Sequence, residues 1–168
     1  MSPPRIPKVI FILGGPGAGK GTQCRKIEMV YNFQHVSAGE LLREEMGKPE
    51  SEFGELIKGH MKNGTIVPSE ITCRLLERAM FTSSKDTFLI DGFPRNQDNL
   101  TCWSADLAKK TSLLFVLVLN CPNETCLERC LNRGAAGSRR TDDNKDSISR
   151  RIVGYHRDTM PVIENYRQ

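Results

Sequence analysis

No apolar run in the 168-residue sequence is long enough to cross a bilayer. The opening MSPPRIPK lacks the apolar core of a secretory signal. Six cysteines are present, but none forms a CxxC pair or has a histidine beside it. Without a signal they read as reduced cytosolic thiols rather than a disulfide frame or a zinc site. Cys121, Cys126 and Cys130 come nearest to a metal set. The acceptor-like triplets at Asn63, Asn99 and Asn123 carry no weight in a chain that is not secreted. A net charge of +4 is too small an excess to argue for nucleic acid, although it suits anionic small molecules. Internal repeats, low-complexity tracts and an NKxD guanine motif are also missing, and the last absence weighs against a GTPase. His35, His60 and His156 are the whole histidine complement, and each reads as a packing or surface residue.

What the chain does have is FILGGPGAGKGTQ, from Phe11 to Gln23. Unbroken apolar character from Val9 to Leu13 predicts a strand buried on both faces. Lys20 to Tyr31 carries Cys24, Ile27, Val30 and Tyr31 at helical spacing. The turn between them has almost no side chains, so its backbone N–H groups can converge on one anion at a helix N-terminus. Gly14, Gly19 and Lys20 have phosphate-loop spacing, except that Gly21 precedes the hydroxyl of Thr22. Further strands are predicted over 87–90 and 113–119, with a short one over 34–36. Helices are predicted over 39–46, 52–62, 69–81, 124–133 and 147–166. Strands alternating with helices imply an α/β fold, a parallel sheet covered on both faces, with ligands at the C-terminal strand ends. Two stretches read as excursions from that core: the charged helical segment near 37–66 and the polar loop GAAGSRRTDDN, from Gly134 to Asn144.

Asp91 leaves an apolar strand and precedes Gly92-Phe93-Pro94-Arg95. It could hold Mg²⁺ through water while Thr22 supplies a hydroxyl, or it could simply cap a turn. Arginines are the third clue: Arg133, Arg139 and Arg140 around the loop, Arg150 and Arg151 after it, and Arg43 and Arg95 elsewhere. Any one of them could be a solvated surface charge, but guanidinium groups also bind phosphate bidentately and offset charge during phosphoryl transfer. No catalytic base stands out. A phosphate monoester acceptor would need none, being mostly a dianion at neutral pH with a second pKa of about 6.

At this point the sequence resembles the nucleoside monophosphate kinases. The matching stretches are GGPGAGKGTQ, VSAGELLREE from Val36, GTIVPSEIT from Gly64, LIDGFPRNQDN from Leu89 and RTDDN from Arg140. The resemblance implies a P-loop kinase fold in three parts. These are a core of 1–36, 67–133 and 145–168, an NMP-binding insert at 37–66, and a short lid at 134–144. It implies reversible transfer of the γ-phosphoryl group of ATP, with Mg²⁺, to UMP, CMP or dCMP. Gly15, Pro16, Gly17, Ala18, Gly19, Lys20, Gly21 and Thr22 would wrap the donor phosphates, with Arg133 on the ATP side. Ser37, Ala38, Gly39, Arg43, Thr65, Ile66, Val67, Gly92, Phe93, Pro94, Arg95 and Asn99 would form the acceptor site. Arg140 and Arg151 would reach the phosphates as the lid closes, helped by Asp142 and Asp143. Lys20, Arg95, Arg140 and Arg151 would be catalytic, and Thr22 and Asp91 would serve the metal. Arg139 finds no counterpart. Ala38 and Asn99 replace the Thr or Ser and the Gln that adenylate kinases place there, which favours a pyrimidine over AMP. An AMP kinase, or a nucleotide-binding form with little turnover, is the alternative. Family members continue beyond Gln168 with a further strand and helix, so 113–119 is expected to have a neighbour on each side in a full-length form. A working monomer is implied, in the cytosol with the nucleus left open, and without nucleic acid or membrane partners.

Overall fold

The computed structural model describes residues 5–138 and 140–168, so Arg139 and the first four positions lie outside the described residues. Strands β1 (Lys8–Gly14), β2 (Gln34–Ser37), β3 (Thr87–Asp91) and β4 (Ser112–Leu119) form one parallel sheet in the order β2-β3-β1-β4. The order reverses at β1. From there the chain goes first to the outer edge at β2, returns to β3 beside β1, and then crosses to place β4 on the other side. That switch opens a crevice at the C-terminal end of β1, where ligands settle in open α/β sheets.

β1 is buried as its composition predicts, with Val9 to Leu13 all at most 4% exposed. Its alternating side chains serve two cores. Val9 and Phe11 join Cys73, Leu76 and Met80 of α4 (Ser69–Thr82) and Trp103 of α5 (Gln97–Ala105). Ile10 and Ile12 join Cys24 and Ile27 of α1 (Lys20–Tyr31). Both faces of β1 are therefore covered. A third cluster of Leu42, Ile57, Val67 and Ile71 ties α2 (Ala38–Met46) and α3 (Gly54–Asn63) to the start of α4.

One expectation about the elements needs correction. The predicted helix over 147–166 is interrupted: α7 (Lys145–Gly154) and α8 (Met160–Tyr166) flank a wider π turn at Tyr155–Thr159. Pro161 cannot donate the backbone bond that an unbroken α-helix needs, so the preceding turn widens. Helix α5 was not anticipated, because its weak apolar periodicity hides behind a polar start. β4, for its part, is a sheet edge, paired only with β1. Leu114 and Phe115 on it are about half exposed, at 49% and 54%. Helix α6 (Asn123–Ala135) follows and packs back over the glycine turn.

Candidate active site

The glycine turn leaves β1 and enters α1 with Gly17 and Gly19 in left-handed backbone geometry, at φ 80° and 95°. At Gly17 a side chain is also sterically barred: its Cβ would stand 2.5 Å from the Cys126 carbonyl oxygen on α6. Gly19 caps α1 with no side chain bonded to the helix start, and no acidic residue occupies the first turn. By contrast, the hydroxyl or amide oxygens of Ser37, Asn96 and Asn144 cap α2, α5 and α7. The N–H groups opening α1 thus lack a side-chain acceptor, beside a positive dipole end.

Lys20 lies folded back over this turn. Its ammonium donates to the carbonyls of Gly14 and Gly15, each at 2.9 Å. Burial pushes its pKa down to about 8, repulsion from Arg95 and Arg151 adds to the fall, and Asp91 opposes it. Arg95 is lowered to about 10, first by burial and then by Arg151, while its Nε donates to the Gly92 carbonyl at 2.7 Å. Cations packed this closely without a ligand mark a place where anionic charge is wanted.

Protein carboxylates hold the remaining arginines. Glu40 accepts from Arg43 at 2.7 Å and from Arg140 at 2.6 Å, joining α2 to the loop across 100 positions. Arg133 grips Asp143 bidentately, with both contacts at 2.6 Å, and Ser138 donates to the same carboxylate at 2.8 Å. Burial alone would raise the Asp143 pKa, but the Arg133 and Ser138 bonds outweigh it and the net direction is down. Arg151 stands 3.0 Å from Asp142. Among the described residues, the buried Nε of Arg43 has no hydrogen-bond partner. A buried guanidinium nitrogen without an acceptor, aimed among cations, is what an absent anion leaves behind.

Two clefts meet here. The polar one, about 470 Å³, is lined by the turn from Pro16 to Thr22 with Ser37, Gly39, Arg43, Asp91, Arg133 and Arg140. The larger, about 660 Å³, is lined by Thr65, Ile66, Gly92 and Pro94 and by α7. Lys20, Arg95 and Arg151 line both. Gly15, Ala38, Val67, Phe93 and Asn99 line neither. Asn99 is committed internally: its Oδ1 accepts the Arg95 backbone N–H at 2.9 Å and its Nδ2 donates to Ser69 Oγ at 2.8 Å. One amide hydrogen of Asn99 remains.

Asp91, at the end of β3, lines the polar cleft with Thr22. A Cβ on Gly21 would come within 3.8 Å of its Oδ2, so the carboxylate sits against the turn. Two hard oxygen donors beside a phosphate cradle suit Mg²⁺. His35 is not an uninvolved residue: its Nε2 lies 2.9 Å from Asp91 Oδ2 and fixes that carboxylate. The other residue missed is Glu40. Its spacing of three from Arg43 on a helix was the available signal. For His35 the sequence held no signal, since 56 positions separate it from Asp91.

The family model described as Adenylate kinase matches residues 12–168. The chain is similar to the UMP-CMP kinase of Xenopus laevis, at 52% identity over 167 residues, covering 96% of this chain and 86% of that one. It is equally similar to the UMP-CMP kinases of Sus scrofa and Homo sapiens, each 52% identical over 167 residues with 85% of the relative covered.

Proposed function

The chain belongs to the adenylate kinase family, and on that premise we propose that its acceptor is a pyrimidine nucleoside monophosphate, UMP, CMP or dCMP. It is a nucleoside monophosphate kinase, moving the γ-phosphoryl group of ATP reversibly to a monophosphate. The observation that carries the site assignment is the unpartnered Nε of Arg43, buried in a ring of cations whose counterions are the protein's own acids.

In this reading the donor phosphates lie on the N–H groups of the turn from Gly15 to Thr22. Lys20 exchanges the Gly14 and Gly15 carbonyls for phosphate oxygens, which restores the stability of its charged form. Arg43 and Arg95 hold the acceptor phosphate, and segment 37–66 carries the acceptor side. Segment 134–144 closes over both. Arg140 and Arg151 turn from Glu40 and Asp142 to the transferring group, and Arg133 supports the ATP side. The acceptor dianion attacks without a base, so catalysis consists of positioning, charge neutralisation and exclusion of water. Mg²⁺, when bound, would neutralise the donor phosphates, and Thr22 and Asp91 would hold it, the aspartate through water.

Two things support the pyrimidine: the relatives are named UMP-CMP kinases, and Ala38 and Asn99 stand where adenylate kinases carry Thr or Ser and Gln. One copy carries every residue of the site, which suits a working monomer. No described helix is long and apolar enough to cross a membrane, and a cytoplasmic setting fits the substrates. A coupled assay of ADP formation tests the acceptor. UMP, CMP or dCMP should exceed AMP in kcat/KM by about 10-fold or more, as a pocket that leaves groups unpaired with the wrong base discriminates. AMP equal to or better than all three would overturn the assignment.

A further inference from the structure

Beneath the glycine turn, three side chains from three elements converge. Cys24 comes from α1, His35 from β2 and Asp91 from the end of β3. The Cys24 sulfur, a His35 ring nitrogen and an Asp91 carboxylate oxygen all lie within 4.8 Å of one another. Thiolate, imidazole and carboxylate are the three donor types that zinc uses, and three protein ligands with one open position is the pattern of zinc sites that exchange a fourth ligand. Mg²⁺ would not choose this set, since it demands oxygen ligands in octahedral geometry.

We propose that Cys24, His35 and Asp91 form a binding site for Zn²⁺, entered from the phosphate cleft, and that zinc bound there inhibits the enzyme. Access comes through Asp91, which lines that cleft together with Gly21 and Thr22. Zinc–ligand bonds of roughly 2.0–2.3 Å require the 2.9 Å contact between His35 and Asp91 to open and the sulfur to close in, a shift on the order of 1 Å. On binding, the thiol proton leaves to solvent as the zinc–sulfur bond forms. Neutral His35 moves its proton from Nε2 to Nδ1, so that Nε2 gives its lone pair to zinc, and the hydrogen bond to Asp91 is replaced by two metal bonds. The fourth position faces the cleft and takes water or a phosphate oxygen. Inhibition rests on the kinase reading above, because it follows from taking the carboxylate that serves Mg²⁺. Zinc binding does not rest on it.

Cobalt(II) reports the site directly, because a thiolate–cobalt bond produces a near-ultraviolet charge-transfer band. Titration of the reduced, nucleotide-free protein with Co²⁺, followed by displacement with Zn²⁺, should show that band saturating at one equivalent. Cys24→Ala should remove the band and weaken zinc by roughly 100-fold while basal turnover is kept. Zinc should inhibit the native protein with relief by raised Mg·ATP, because both cations need Asp91, and should spare Cys24→Ala. His35→Gln provides a second test that leaves the sulfur in place: the band should persist only at much higher cobalt. An unchanged band and affinity in Cys24→Ala would put the ion on other cysteines and overturn the proposal, as would no band in the native protein. Because the titration contains no nucleotide, a failed band leaves the kinase assignment standing, and a failed acceptor assay leaves the metal site standing.

Discussion

The glycine turn and the arginine ring bind the same kind of group in opposite ways. The turn waits: its left-handed glycines fix the backbone, no side chain caps α1, and no acid fills the first turn. The ring is already engaged, with Arg140 on Glu40, Arg133 on Asp143 and Arg151 beside Asp142. One region is a preformed receptor. The other must exchange an internal anion for an external one, so its affinity is a difference between two charge-assisted contacts. A site built this way can hold ligands firmly at one end and release them at the other, as a reversible transferase requires.

The largest effect should come from removing the single charge that belongs to the turn. Lys20→Ala should lower turnover by about 10³-fold with little change in thermal stability, because the residue serves the ligand and not the core. Rapid-quench rates alongside a melting curve would check this, and turnover within a few-fold of native would break the assignment of the turn. The native protein offers a companion readout. Its free Lys20 titrates at about 8, so kcat/KM for ATP should fall as pH rises through that value. With ATP bound the ammonium has phosphate partners, and kcat should hold to higher pH.

An intermediate effect is expected where the base is read. Ala38→Thr with Asn99→Gln should raise the AMP/CMP ratio of kcat/KM by about 10-fold. The internal bonds of Asn99 sharpen this test, since its side chain also holds the Arg95 backbone and Ser69. A ratio that stays put while both rates fall would make Asn99 a positioning residue for Arg95, not a reader of the base.

The smallest effect separates the two regions most finely. Glu40→Gln removes the carboxylate that ties Arg43 to Arg140, and partly exposed ion pairs are modest. KM for the acceptor should fall about two- to five-fold, since Arg43 no longer has a competing anion. Amide exchange over 134–144 in the nucleotide-free protein should quicken, because the loop has lost its tie to α2. A raised KM would mean that Glu40 orients Arg43 and does not compete for it.

The contrast also explains what was legible in the residues alone. A phosphate turn is local: the strand, Gly14 to Gly19, Lys20 and the helix are contiguous, and each follows from backbone physics that one short stretch contains. β1 was equally plain, since every residue from Val9 to Leu13 is apolar. The pairing of Glu40 with Arg140 depends on how two distant segments meet, as does that of His35 with Asp91, and nothing in sequence spacing encodes either. Asn99 could be noticed as a shorter amide, but not as one bound at both ends. β4 shows the same limit from the other direction. Its composition states that it should be buried and is silent on which strands flank it, and in the sheet it has only β1 beside it.

The most direct measurement of the account follows both products at once. Phosphorus NMR of the protein with Mg·ATP and CMP should show ADP and CDP rising together, one for one, with no inorganic phosphate, and the mixture should run backward from ADP and CDP. Water exclusion and a gripped acceptor phosphate require that stoichiometry. ADP appearing with inorganic phosphate and without CDP would contradict it, and would leave a nucleotide hydrolase on the same turn.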